Sequence, residues 1–231
     1  MKKYVNLFVF VFMIGACLSQ GRAQTKSAVS YKNPVVDIAM PDPTVIKAAD
    51  GYFYVYATES TRNVPIMKSK DLVEWTYCNT AFTNKTRPRF EPKAGIWAPD
   101  INYINGKYVL YYAMSVWGGE QTCGIGVATA NSPQGPFTDH GKMFRSNEIG
   151  VQNSIDPSLL QYEGRNYLVW GSFRGIYVIE LTADGLSIMP GAKKKENRGS
   201  SGSSRGGGCP VGALYRKGFL PGYGILCRAA G

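Results

Sequence analysis

Apolar residues recur along this chain in short alternating runs rather than at helical spacing, and three stretches repeat one plan. The first begins at Asp42-Pro43-Thr44-Val45-Ile46, turns at Asp50-Gly51 and continues through Tyr52-Phe53-Tyr54-Val55-Tyr56-Ala57. Aromatic and β-branched residues suit a pleated, half-buried surface, so these runs predict strands. Pro65-Ile66-Met67-Lys68-Ser69 predicts a third strand, and Asp71-Leu72-Val73-Glu74-Trp75 a closing turn with a packing tryptophan. The second stretch runs Asp100-Ile101-Asn102-Tyr103-Ile104, turns at Asn105-Gly106, a hairpin signal, and continues through 108–113 and 124–129 to Phe137, placed as Trp75 was. The third starts at Asp156-Pro157-Ser158-Leu159-Leu160, turns at Glu163-Gly164 and continues through 167–171 and 175–179.

The aspartates that open the three stretches, Asp42, Asp100 and Asp156, lie 58 and then 56 residues apart. A period of about 55 residues points to a radial or stacked array of small sheets. Three or four antiparallel strands per unit is the plan of a β-propeller blade, and radial packing protects the strand edges. The expectation is an all-β fold with about three blades between residues 30 and 190, and the three aspartates at equivalent points near one axis. A β-sandwich also shows short, regularly spaced strands and is the alternative.

Composition narrows the function classes. Of 231 residues, 44% are hydrophobic and 15 are tyrosines, enough for a sizeable core. The net charge of +10 suggests nucleic acid until its distribution is considered. Residues 193–231 hold eight Lys or Arg and one Glu, a net of +7, which leaves +3 for the rest. Charge therefore argues for no nucleic-acid partner. Met1-Lys2-Lys3 followed by the apolar run Val5–Leu18 reads as a secretory signal over residues 1–23, too short for a comfortable membrane span. Either Ile14-Gly15-Ala16-Cys17 is a lipobox, which would anchor the chain to a membrane through Cys17, or Gly21-Arg22-Ala23 is an ordinary cleavage site. Both predict export to the periplasm, the exterior or the cell envelope. Cys78 and Cys123, far apart and without metal-ligand spacing, read as buried thiols. His140, the only histidine, reads as a surface loop residue, and no metal site is apparent.

Pro41-Asp42-Pro43, Lys68–Trp75, Trp97-Ala98-Pro99-Asp100, Asn153-Ser154-Ile155-Asp156-Pro157 and Gly171-Ser172-Phe173, in that order, resemble glycoside hydrolase family 43. The similarity runs from about Val35 to Ile188 and is closest to the endo-acting α-1,5-L-arabinanases. It implies a five-bladed β-propeller that hydrolyses plant cell-wall polysaccharide, arabinan or arabinoxylan, with inversion. It also implies that Asp42 is the general base and that Asp156 orients the general acid and raises its pKa. Trp97, Asp100, Gly118, Asn153, Ser154, Ile155, Ser172 and Phe173 would meet the sugar. The family's structural calcium is possible, but its ligands are not identifiable in this sequence.

The chemistry suits these residue types. An inverting glycosidase needs one carboxyl for the leaving oxygen and another, roughly 6.5–9.5 Å away, for the water. A third carboxylate nearby keeps the acid protonated. A β-xylosidase or α-L-arabinofuranosidase of the same family, or a non-catalytic carbohydrate-binding remnant, are the alternatives.

After Ala192 the pattern changes. Lys193-Lys194-Lys195-Glu196 leads into a Gly/Ser/Arg-rich stretch with no alternation, and no fourth repeat with an acidic opening follows. The expectation is an atypical, disordered basic tail over 191–231, the mark of a frameshift or truncation, and a general acid absent from the chain. Glu163 lies at a hairpin position, while Glu120 and Glu148 lie in loops near the third repeat. Activity of this chain alone is expected to be weak or nil.

Overall fold

The computed structural model describes residues 31–197, and these form three four-stranded antiparallel sheets. The expected signal segment, Cys17, Cys209, Cys227 and the tail beyond Asn197 lie outside the described residues. The first sheet joins β1 (Thr44–Lys47), β2 (Phe53–Tyr56), β3 (Pro65–Ser69) and β4 (Thr76–Thr80) in sequential order. The second joins β5 (Gly95–Ile104), β6 (Lys107–Ser115), β7 (Gly124–Ala130) and β8 (Thr138–Arg145). The third joins β9 (Ser158–Tyr162), β10 (Arg165–Ser172), β11 (Gly175–Leu181) and β12 (Lys195–Glu196). One helical turn, α1 (Ser146–Ile149), follows β8.

Each sheet is a plain up-and-down meander, with tight turns between its first two strands and between β10 and β11 and longer loops between the others, the longest from Leu181 to Lys195. The Asp50-Gly51, Asn105-Gly106 and Glu163-Gly164 turns all bring positive φ at their glycines, the conformation that these tight reversals need. The repeat pattern did not reveal β4 and β8, because Thr76-Tyr77-Cys78-Asn79-Thr80 and Thr138–Arg145 alternate polar with partly exposed positions. His140 accordingly sits within a strand, β8, and not in a loop, though it is exposed there and bonds to Thr129 Oγ1 at 2.8 Å. The boundary after 190 also shifts. Lys195 pairs with Val178 and Glu196 with Tyr177, so the first residues of the basic stretch close the third sheet.

The middle sheet explains the stacking. From Tyr108 to Ser115, β6 is buried at every position. Side chains alternate across a strand, and here both faces find partners. Tyr108, Leu110, Tyr112 and Met114 join Tyr54, Tyr56, Ile66 and Phe82 of the first sheet region. Val109 and Tyr111 join Leu168, Trp170 and Leu181 of the third. The middle sheet is thus packed on both sides, which is why its central strand reads as an unbroken apolar run. Gly126 of β7 allows Tyr112 to lie flat against it; a Cβ there would stand 2.3 Å from the Tyr112 hydroxyl. Tyr54, Tyr56, Tyr111, Tyr112 and Trp170 are all fully buried core residues.

The outer face of the first sheet is less covered. Val45, Val55, Met67 and Tyr77 stand in one row across all four strands. Val45 and Tyr77 at its ends are about half exposed, at 47% and 50%. Pro34, Val35, Val36 and Ile38 of the preceding segment cross this region with Met67, Val73 and Trp75 around a cavity of about 460 Å³. That cavity contains none of the three aspartates.

Candidate functional site

The residue before proline disfavours the ordinary helical region, and several such residues here take positive φ: Val64 before Pro65 at 67°, Gly135 before Pro136 at 80°, and one residue at the start of each repeat. Asp42 before Pro43 has φ 49°, Ala98 before Pro99 has φ 38°, and Asp156 before Pro157 has φ 54°. Positive φ is uncommon for residues with a Cβ, and where it persists the surroundings hold it. These three are the equivalent points of the three repeats. Asp100 is not. It lies two residues further on, in step with Thr44 and Ser158, inside β5 and opposite Tyr111. The near-equal spacing of the three aspartates hides this shift.

Asp42 is exposed at the entrance to β1. Its Oδ2 accepts a hydrogen bond from the Thr58 hydroxyl at 2.7 Å. Asp156 also reaches the open surface at the entrance to β9. Crowding by protein around its carboxyl, and then the negative charge of Asp42, push it up to about 6. Two carboxyls from different sheets therefore sense each other, and one of them takes up its proton more readily for it.

The loop before Asp156 is tied down from both sides. The Asn153 amide donates to Glu120 O at 2.7 Å, and Asn153 Nδ2 donates to Ser172 Oγ at 2.9 Å. Asn153 has φ 55° and is almost buried, while the Gly171 amide donates to Ile155 O at 2.9 Å. Gly171 itself admits no side chain, because a Cβ would lie 2.0 Å from Gly175 O. Ser154 departs from expectation. It is fully buried, its amide bonds to Ser146 Oγ at 2.8 Å, and its hydroxyl has no partner. A side chain sealed in this way supports the loop and cannot meet a sugar.

Around this loop stand exposed aromatic rings. Phe173 is 81% exposed, with Arg174 over its face at 4.9 Å, and Arg174 pairs with Glu120 at 3.0 Å. Trp117 is 94% exposed, and its ring lies 5.7 Å from that of Trp97, tilted by 54°. Gly118, with φ 78°, forms the turn just beyond Trp117. Large apolar rings left in water on an otherwise packed protein mark an interaction surface.

Asp100 has a different job. Its Oδ2 accepts from the Leu159 amide at 2.7 Å and from Asn102 Nδ2 at 2.7 Å. Enclosure pushes its carboxyl up to about 6 against those bonds. With its Oδ2 bonded to Leu159 of β9 and to Asn102 of its own strand, the enclosed carboxyl is a tie between sheets, which does not favour the expected sugar contact.

Sequence reasoning missed Thr58, Glu59 and Arg87. Glu59 accepts both guanidinium nitrogens of Arg87, the Asn63 amide at 2.7 Å and the Ile96 amide at 2.9 Å. Burial raises the Glu59 carboxyl, but these donors outweigh it and hold its pKa below the ordinary value. No sequence motif marks the pair, since its partners are 28 residues apart on non-repeating loops.

Among the described residues no cluster of three or more His, Cys, Asp or Glu could hold a metal ion. Cys123 is buried and Cys78 half-buried, and both are free thiols.

A model of glycosyl hydrolases family 43 matches residues 31–213, past the change of pattern at Ala192. The chain is 38% identical over 140 residues to the extracellular endo-α-(1→5)-L-arabinanase 1 of Bacillus subtilis, covering 57% of this chain and 43% of that protein. It is 32% identical over 137 residues to a probable arabinan endo-1,5-α-L-arabinosidase A of Aspergillus niger, covering 57% and 41%. Among solved structures, the native arabinanase of Bacillus subtilis superposes with a TM-score of 0.59 at 32% identity, over 68% of this chain and 56% of that one. The Cellvibrio cellulosa α-L-arabinanase complexed with arabinohexaose gives 0.60 at 27% identity, over 68% and 52%. The chain thus spans about two fifths of the length of these curated relatives. Its ordered motifs and its sheets agree with the matched family, and the chain belongs to glycosyl hydrolases family 43.

Proposed function

We propose that this chain carries the water-activating half of an inverting α-1,5-L-arabinan hydrolase. The observation that carries the reading is that Asp42 and Asp156 stand exposed at equivalent entrances to β1 and β9, each before a proline and at positive φ, with Asp156 pushed up to about 6 by crowding and by the charge of Asp42. Asp42 is the exposed base that takes a proton from water, and Asp156 orients and tunes the acid. Trp97, Trp117 and Phe173 offer faces to furanose rings, and Asn153, Ile155, Ser172 and Gly118 shape the subsite between them. Family membership and the arabinanase names of the relatives support arabinan over arabinoxylan. The three sheets are three blades of a five-bladed propeller, and the exposed ends of the Val45–Tyr77 row support a further blade beside the first.

This chain lacks the general acid in this reading: residues 1–30 and 198–231 hold no Asp or Glu, and the glutamates nearest the third repeat are engaged elsewhere. Glu120 is bonded to Arg174, Glu148 to Lys142, and Glu163 lies in the β9–β10 turn. Those ties also favour a second reading, in which the chain binds arabinan through the aromatic rim without cleaving it. The relatives' extracellular member supports export, with arabinan met outside the cell.

Reducing-sugar release from linear α-1,5-arabinan by the purified chain, beside Asp42→Asn and Asp156→Asn, tests the assignment. Release that both substitutions abolish supports hydrolysis and requires one of the glutamates between residues 31 and 197 to serve as the acid, since residues 198–231 hold no Asp or Glu. Binding of arabino-oligosaccharide without release supports the second reading, and neither binding nor release rejects both.

A further inference from the structure

The Thr58 hydroxyl stands between the exposed carboxylate and the middle sheet, and its hydrogen bonds have a forced direction. The Ala98 amide donates to Thr58 Oγ1 at 2.7 Å, and Thr58 Oγ1 lies 2.7 Å from Asp42 Oδ2. An amide only donates, so the hydroxyl accepts there and its single proton goes to Asp42. Among the described residues no donor reaches Asp42 Oδ1.

The local sequence makes the Ala98 amide available. Pro99 has no N–H to give to a ladder, and the pairing of β5 with β6 slips between Trp97 and Asp100. The bulge turns Ala98 out of the sheet at φ 38°. Thr58 is fixed in turn. Its own amide donates to Pro41 O at 2.9 Å, and the next residue, Glu59, binds both Ile96 backbone groups, through its amide at 3.1 Å and its Oε1 at 2.9 Å. The two left-handed residues Asp42 and Ala98 thus meet on one hydroxyl, buttressed by the Glu59–Arg87 pair.

We propose that Thr58 is the positioning residue of Asp42, holding Oδ2 so that Oδ1 faces the open side where a water would be activated. This rests on the reading of Asp42 as the base. It also ties the base to the Trp97-Ala98-Pro99 segment, so the aromatic wall and the carboxylate keep a set relation. Threonine suits the place because its β-branched side chain has few rotamers. A serine would keep the two bonds with a looser hold, and a valine would keep the shape but lose both.

The test compares the full chain with Thr58→Val, Thr58→Ser and Asp42→Asn by two readouts. The first is the Ala98 amide proton shift by NMR across pH. In the parent and Thr58→Ser, protonation of Asp42 is expected to move that amide through the hydroxyl. In Thr58→Val and Asp42→Asn the response is expected to shrink to the part that Asp100 causes in every chain, while a cooperative melt shows that the variants remain folded. An Ala98 amide that follows pH equally in all four chains would overturn the relay. The second readout is arabinan turnover. Thr58→Val is expected to lower kcat about tenfold or more with little change in KM, and Thr58→Ser to restore most of it. Parent-like kcat in Thr58→Val would overturn the positioning role. A parent chain that neither turns over nor binds arabinan rejects the reading of Asp42 as the base instead, and the amide response alone then decides whether Thr58 holds Asp42.

Discussion

Asp100 Oδ2 accepts the backbone amide of Leu159 at 2.7 Å, from 59 residues further along the chain and from another sheet. One carboxyl thereby joins the middle sheet to the third, at a place where β5 and β9 have few other contacts. The same oxygen accepts Asn102 Nδ2. Replacing Asp100 by alanine leaves the part-buried Leu159 amide without its acceptor and Asn102 Nδ2 with only the long bond to the backbone carbonyl at 3.5 Å. A loss of about 1–3 kcal/mol in urea unfolding is expected. A loss below the error of the measurement would show that water replaces the carboxyl.

Asp100 also sets a pH dependence. Its folded pKa, about 6, lies above the ordinary carboxylate value of 3.8. A raised folded value means that the folded chain binds more protons in this window, so stability falls as pH rises. The contribution is fully present below the ordinary value and lost as pH passes 6. The melting temperature is therefore expected to rise, relative to Asp100→Asn, as pH falls from 7 to 5. A constant difference between the two chains would contradict the enclosure of Asp100.

Asp42→Asn removes the charge that helps to raise Asp156. The Asp156 titration, followed by carboxyl NMR, is expected to move down from about 6 toward the ordinary range. Crowding, the larger cause, remains, so part of the shift stays. An unchanged midpoint would mean that the two carboxyls do not sense each other.

The Glu59–Arg87 pair is nearly sealed from solvent, with side-chain exposures of 9% and 7%. Arg87→Met leaves the Glu59 carboxylate with only the Asn63 and Ile96 amides. Breaking a buried pair from one side costs about 3–5 kcal/mol. Chemical denaturation is expected to show a loss on that scale, with a smaller loss in the Glu59→Gln, Arg87→Met double variant. Equal losses in both would remove charge burial as the cause.

Trp117, at 94% exposure, gives the opposite expectation. Trp117→Ala should leave stability within about 0.5 kcal/mol while weakening arabino-oligosaccharide binding by calorimetry. Gly126→Ala should leave the rim intact but cost about 1–3 kcal/mol, because its Cβ would meet the Tyr112 ring. A destabilised Trp117→Ala chain would show that the ring serves the fold.

Strand existence was legible in the sequence wherever burial was strong. The run 108–113 announced a strand because both of its faces are covered. The strands β4 and β8 were hidden because their exposed positions carry polar residues. The Asp-Pro and Ala-Pro motifs were visible, yet their alignment misled. Nearly equal spacing does not show that Asp100 is out of step with Asp42 and Asp156, and the run 153–156 does not show that Ser154 alone is sealed.

The all-β character, the turn positions, the aromatic core and the family can be read from residue order, because these follow from local propensity, alternation and ordered motifs. Packing of the sheets was needed to bring Ala98, and not Asp100, onto the Thr58 hydroxyl that holds Asp42, and to make Asp100 a tie between two sheets. Those outcomes depend on a pre-proline residue taking positive φ and on donors from distant parts of the chain. Neither is encoded in the spacing of residue types, since both arise only when separate sheets have packed.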